Sequence, residues 1–175
     1  MEKIYFVRHG ESEANVKRQF AGQKEDSPLT DLGRQQAKQA AKDLLKYDFK
    51  IDRVISSPLL RAHETAKIIV KEAKMGLEIE IDERIAEYDM GALTGTAHHK
   101  ISSQELVAAE GAEDPSEFQN RVQDLINELR QGDKNVLIVS HAGVGRIIEV
   151  SKKNLDPKSF YDLGPLPNAK IIVLY

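Results

Sequence analysis

An apolar run, Ile4-Tyr5-Phe6-Val7, leads directly into Arg8-His9-Gly10-Glu11-Ser12. The run is aromatic and β-branched and reads as a buried strand, so a guanidinium and an imidazole stand at a strand's carboxyl end beside a glycine. Ligands of open α/β sheets bind outside those ends. An arginine there suits phosphate or carboxylate, because its planar fork matches two oxygens at once. A histidine there can act as a nucleophile or carry a proton near neutral pH. A second such exit, Ser140-His141-Ala142-Gly143, follows the most apolar run, Val136-Leu137-Ile138-Val139. Another cation, Arg61, lies in the first turn of the helix after Ser57-Pro58, against the preference of helix N-termini for acids. Brought to one sheet edge, these groups form a cationic cluster that is costly unless an anion joins it. Phosphate fits, since it accepts several donors at once.

The elements that must position these residues show as alternating patterns. Residues 10–28 read as loop with a short helix near 12–17. Thr30 can cap the next helix, which carries Ala37, Ala40, Ala41, Leu44 and Leu45 on one side. Residues 53–56 read as a second strand. Ser57-Pro58 then offers a capping hydroxyl before a proline at the first helical position, and that helix ends near 74–76. Leu77-Glu78-Ile79-Glu80-Ile81 alternates, as a strand with one wet face does. Residues 83–112 look loop-rich. Asp114-Pro115-Ser116-Glu117 reads as a capping box opening a helix to about Arg130, with Gly132 beyond its end. Residues 136–139 form a central strand covered on both faces, a helix starts near Val144, and residues 170–175 give a last strand. Strands alternating with helices predict a three-layer α/β/α sandwich: a mostly parallel central sheet with helices on both faces.

Composition narrows the function. With 175 residues the chain fits a single domain with a sizeable core. A net charge of −3 favours neither nucleic acid nor an anionic membrane surface, so an anion site must be assembled locally from a few cations. Basic residues are not interleaved with aromatics, which argues against nucleic-acid binding. There is no cysteine, hence no disulfide, thiolate metal site or cysteine nucleophile, and this suits a cytoplasmic protein. No apolar run approaches the ~20 residues of a membrane span, and Glu2 and Lys3 do not open a signal peptide. His98-His99 lacks a third metal ligand, and a loop is the simpler reading. His63-Glu64-Thr65 is half of a two-histidine phosphodiesterase signature whose second copy is missing, so His63 is expected to pack or face solvent. No Gly-x-x-x-x-Gly-Lys loop is present, which argues against a nucleotide-hydrolysing P-loop enzyme.

The ordered motifs resemble those of the histidine phosphatase superfamily, also called phosphoglycerate mutase-like. They are Val7-Arg8-His9-Gly10-Glu11-Ser12 with Asn15, Pro28-Leu29-Thr30 and Gly33; Ser56-Ser57-Pro58-Leu59-Leu60-Arg61-Ala62 with Thr65-Ala66; Glu83-Arg84-Ile85 with Glu87, Gly91 and Gly95; and Val139-Ser140-His141-Ala142-Gly143. The resemblance implies that His9 becomes phosphorylated and that Arg8, Asn15, Arg61, His141 and Ala142 surround the phosphoryl group. It also implies that Glu87 protonates the leaving alkoxide and then activates water. Spacing alone does not separate Glu87 from Glu83 and Asp89. Neither metal nor cofactor is implied, because side chains supply the cations.

The implied activity is hydrolysis of a small phosphate ester with release of inorganic phosphate. Phosphoglycerate mutase activity through the same intermediate is one alternative, and a non-catalytic phosphate-binding protein on this fold is another. Relatives of the mutase type carry a longer insertion and a C-terminal tail over the site. Here a short cap at about 96–114 is expected, which leaves a phosphoenzyme open to water. The family's third motif often holds a tryptophan, and Ala92-Leu93-Thr94 stands there instead; Ala21 stands where relatives can carry a hydroxyl residue near the substrate. The substrate and the oligomeric state are left open.

Overall fold

The computed structural model describes residues 3–47 and 49–175; Glu2 lies outside them. In chain order the elements are β1 (Ile4–Arg8), α1 (Glu13–Lys17), α2 (Asp31–Leu44), β2 (Arg53–Ser56), α3 (Leu60–Glu72), β3 (Ile79–Ile81), α4 (Ser103–Val107), α5 (Pro115–Arg130), β4 (Val136–Ser140), α6 (Ala142–Lys152) and β5 (Ile171–Val173). Short 3₁₀ turns cover Glu83–Ile85, Gly91–Leu93, His98–Lys100 and Pro157–Asp162. The strands form one sheet in the order β3-β2-β4-β1-β5. β3, β2, β4 and β1 run parallel, and β5 lies antiparallel on β1. The expected mostly parallel sheet is present.

Side-chain alternation along the strands assigns the layers. Tyr5, Val7, Leu137 and Val139 face Ala40, Ala41 and Leu44 of α2 and Ala66 and Ile69 of α3. Ile4, Phe6, Val136 and Ile138 face Phe118, Val122 and Leu125 of α5 and Val144, Ile147 and Ile148 of α6. The helices following β1 and β4 thus cover opposite faces of the sheet. β4 is buried along its whole length, as a strand covered on both sides must be.

Register sets the position of the functional residues. Arg8 pairs with Ser140, and Ser56 pairs with Val139. Three strands therefore end level, and the residues after them emerge at one edge.

Several boundaries differ from the sequence reading. α3 begins at Leu60, not at Pro58, because its first free N–H is taken by Asp26 Oδ1, 2.7 Å from the Leu60 nitrogen. Ser57 instead accepts a bond from Leu59 N–H at 3.3 Å and turns to another partner. α3 also ends at Glu72, and β3 and β5 are three residues each. Leu45 lies past the end of α2 and is exposed. Asp114 caps α5 through the N–H groups of Ser116 and Glu117, without the reciprocal bond of a capping box. That box occurs at Ser102 and Glu105 and makes α4 inside the region read as loop. The excursion from Gly91 to Ala112 is pinned at its neck by a Met90–Ala112 bridge and by Glu113 N–H donating to Asp89 O at 3.0 Å.

The loop after β1 lies directly on the first turn of α2. A Cβ at Gly33 would stand 2.1 Å from the Glu11 carbonyl oxygen, a backbone contact that no rotamer change relieves. Gly33→Ala is expected to lower stability by about 1–3 kcal/mol, read as a reduced urea midpoint. An unchanged midpoint would show that this approach is not close in solution.

Candidate active site

His9 is built into the sheet edge by its backbone. Its N–H continues the β1–β4 ladder to Ser140 O at 2.8 Å, and its carbonyl accepts from Asn168 Nδ2 at 2.9 Å. The next peptide is fixed by α3: Gly10 N–H donates to Thr65 Oγ1 at 3.1 Å, and the Thr65 hydroxyl donates to Arg61 O at 2.7 Å. One helix thus holds both the histidine turn and Arg61.

The tautomer of His9 follows from its partner. Nδ1 lies 2.7 Å from Gly10 O. A carbonyl oxygen only accepts, so Nδ1 carries the proton, and in the neutral ring Nε2 keeps its lone pair. Burial, then the positive charges of Arg61 and Arg8, push the imidazole well below its usual range. The ring is therefore a free base at neutral pH.

His141 stands 5.2 Å from His9 between ring centroids, edge to face. It is fully buried and is held deep by Ser57 Oγ, 2.7 Å from Nε2. Its Nδ1 is buried with no partner in the protein. Burial, then Arg61 and His9, also push it well below the usual imidazole range.

The two arginines are desolvated. Arg61, 2 % exposed, donates through Nη2 to Gly22 O at 2.8 Å and through Nη1 to Glu25 O at 3.2 Å. Burial lowers its pKa, and the charge of Glu87 opposes that shift. Arg8 binds Leu166 O through Nη1, and its Nε is buried without a partner. Burial brings its pKa down to about 10, with Glu87 opposing and Arg146 and Arg61 adding to the fall. Both remain charged at neutral pH.

Of the three candidate acids, Glu87 faces the cavity, while Glu83 is exposed and Asp89 pairs with Lys24 at 3.3 Å. Glu87 Oε1 accepts from Tyr88 N–H at 2.9 Å, and Oε2 accepts from Gly143 N–H at 3.2 Å. A Cβ at residue 143 would fall 2.1 Å from Oε1, so a larger residue at the start of α6 would displace the Glu87 carboxylate. Arg121 of α5 grips the carbonyls of Arg84, Ala86 and Glu87 together with the Glu113 carboxylate. Glu87 is thereby fixed between α5 and α6.

These groups border a cavity of about 310 Å³. Arg8, His9, Asn15, Arg61, Glu87 and Ala142 line it, and His141 lies behind His9 without reaching its surface. Asn15 Oδ1 is used to cap α1, which leaves the amide NH₂ as the donor available to a ligand. Ala142 opens α6, whose N-terminus suits an anion. Ala21 is in the wall, as expected. The wall also holds residues that sequence reasoning missed, among them Arg146, Tyr161 and His98. His98, read as a loop residue without a role, is brought to the cavity by the 98–100 turn and stands edge-on to Phe20 at 5.9 Å. His63 is half-buried on α3 and away from the cavity. Among the described residues no three His, Cys, Asp or Glu side chains are grouped to hold a metal.

An unprotonated imidazole nitrogen beside two fixed guanidiniums can take a phosphoryl group and stabilise the charge that spreads over its oxygens. Fold and pocket are thus those of a phosphoryl-transfer enzyme that works with side-chain cations. The chain belongs to the histidine phosphatase superfamily, whose branch 1 sequence profile matches residues 4–175. A provisionally named phosphoserine phosphatase 2 of Hydrogenobacter thermophilus is 34% identical over 156 residues, covering 82% of this chain and 74% of that one. A provisionally named phosphoglycerate mutase, GpmB of Salmonella choleraesuis, is 33% identical over 163 residues, covering 85% and 74%. Among solved structures, a mycobacterial glucosyl-3-phosphoglycerate phosphatase complexed with VO₃ superposes with a TM-score of 0.83 at 26% identity, covering 99% of this chain and 92% of that one.

The buried imidazoles tie stability to pH. Unfolded histidines titrate near 6.5, and His9 and His141 are held well below that when folded. Below pH ~6.5 the unfolded chain binds more protons than the native one. Stability is therefore complete above that pH and is lost as pH falls toward the depressed folded values. Urea midpoints measured from pH 7.5 to 5 are expected to fall, with a shallower slope in His9→Gln. The same slope in both proteins would remove His9 from this account.

Proposed function

We propose that the chain is a phosphomonoesterase that hydrolyses a small phosphorylated metabolite through a phosphohistidine at His9. The supporting observation is the Nδ1–H bond to Gly10 O, which leaves Nε2 as a lone-pair nitrogen in a cavity bordered by Arg8 and Arg61. In this reading Nε2 attacks phosphorus in line while the P–O bond to the alcohol breaks. Arg8, Arg61, the Asn15 amide and the Ala142 N–H hold the equatorial oxygens, and His141 backs the His9 ring. The departing alkoxide takes its proton from Glu87. Water then gives a proton to Glu87 and attacks the phosphohistidine, which releases inorganic phosphate and restores His9. The segment 96–114 acts as a small cap that carries His98 to the substrate. The protein acts in the cytoplasm, without cofactor, metal, nucleic acid or membrane.

A mutase reaction runs through the same intermediate, and the likeness to GpmB keeps it as the second reading. The two differ in product: free phosphate against an isomeric ester.

Incubation with p-nitrophenyl phosphate and a chelator is expected to release phosphate at an undiminished rate. His9→Ala is expected to fall to background and to lose the acid-labile phosphoenzyme trapped by quenching. Phosphate bound tightly but never turned over would make the protein a binder instead.

Glu87→Gln separates the acid from its neighbours. The expected loss is about 10²–10⁴-fold on alkyl phosphates and far less on p-nitrophenyl phosphate, whose leaving group needs little protonation. Equal losses on both would place the acid elsewhere.

A further inference from the structure

The cavity holds one more cation than a phosphoryl group uses. Arg8, Arg61 and Arg146 line it, and Glu87 is the one carboxyl residue among its lining residues; Asp26, 3.7 Å from Arg61, lies outside the lining and is half-exposed, where solvent screens it. A phosphate ester dianion balances two guanidiniums, and Glu87 is neutral when it delivers its proton. One positive charge remains. Arg146 is its natural holder, because it sits one helical turn beyond Ala142 and against other elements. Its Nε donates to Gly164 O at 3.3 Å, and its guanidinium lies over the Tyr161 ring at 5.3 Å. Among the described residues no carboxylate is within ion-pairing distance of it. Stacking against an aromatic ring fixes the fork without satisfying its charge.

The neighbouring wall offers neutral donors. Burial raises the Tyr161 phenol, so it keeps its proton, and lowers the His98 imidazole, so it is neutral with one N–H. A fixed guanidinium flanked by a phenol and an imidazole matches a small planar anion of single charge.

We infer that Arg146, with Tyr161 and His98, forms a second anion subsite that takes a carboxylate of the substrate, so that the substrate is a phosphorylated carboxylic acid. This rests on the phosphatase reading of the same cavity. A single leftover charge favours a carboxylate over a second phosphoryl group.

Matched pairs test it. O-phosphoserine and phosphoethanolamine differ by one carboxylate, and 3-phosphoglycerate carries a carboxylate where glycerol 3-phosphate has CH₂OH. Phosphate release is followed for both pairs, for fructose 1,6-bisphosphate and for p-nitrophenyl phosphate. The wild type is expected to favour the carboxylate member of each pair by about 10- to 100-fold in kcat/KM, the worth of one charge-assisted contact. Arg146→Gln should erase that ratio chiefly through KM, and Arg146→Lys should keep part of it. Equal members in the wild type, a ratio that survives Arg146→Gln, or preference for the bisphosphate over both acids would each overturn the subsite while leaving the phosphatase reading intact. If p-nitrophenyl phosphate shows no His9-dependent turnover, it is the phosphatase reading that fails. Calorimetric binding of the same pairs to wild type and Arg146→Gln then decides the subsite, with the same ratios supporting or overturning it.

Discussion

Two guanidiniums are held out of water beside two imidazoles, and much of the site answers to that constraint. Arg61 is nearly sealed; the carbonyls of Gly22 and Glu25 accept its N–H groups, and the half-exposed carboxylate of Asp26 lies 3.7 Å away. A cation so placed makes a second positive charge nearby expensive. Burial first, and that charge second, drive His9 and His141 toward their neutral forms. The desolvation that opposes folding here also keeps the His9 imidazole unprotonated and favours an anion in the pocket. Arg8 Nε and His141 Nδ1 are buried without a partner in the protein.

The parallel sheet makes this arrangement possible with short side chains. Level ends of β1, β4 and β2 put residues from three distant segments side by side. The helices that leave β1 and β4 then diverge to opposite faces, which opens a crevice at the sheet edge. Thr65 links the His9 turn to the Arg61 backbone, and the Gly143 N–H links α6 to Glu87. Backbone N–H groups take part in holding both the His9 turn and Glu87.

Sequence and structure agree best where one local signal dominates. Residues 4–7 and 136–139 are unbroken apolar runs that admit one reading, and Arg8, His9 and His141 follow at their ends. Thr30 caps α2 as its type suggests. The start of α3 was hidden because its capping group, Asp26, lies far back along the chain. Ser57 looked like a cap and proved to be the partner of His141, a contact no local pattern encodes. His98 escaped because a 3₁₀ turn in a weakly patterned segment carries it to the cavity. Arg146 left a usable trace: it stands four residues after Ala142, hence on the same helix face. Glu87 needed the fold, since its near neighbours Glu83 and Asp89 differ from it only in where the chain turns.

The neck at Met90–Ala112 and Asp89–Glu113 has a consequence for how the intervening chain is attached. Arg121 clamps Glu113 and the carbonyl of Glu87 together, so both roots of the intervening excursion are anchored to α5. The backbone of Glu87 is thus held by a residue outside the excursion. The fold therefore offers a socket at which the chain between the two roots is joined to the sheet edge through α5 alone among these ties.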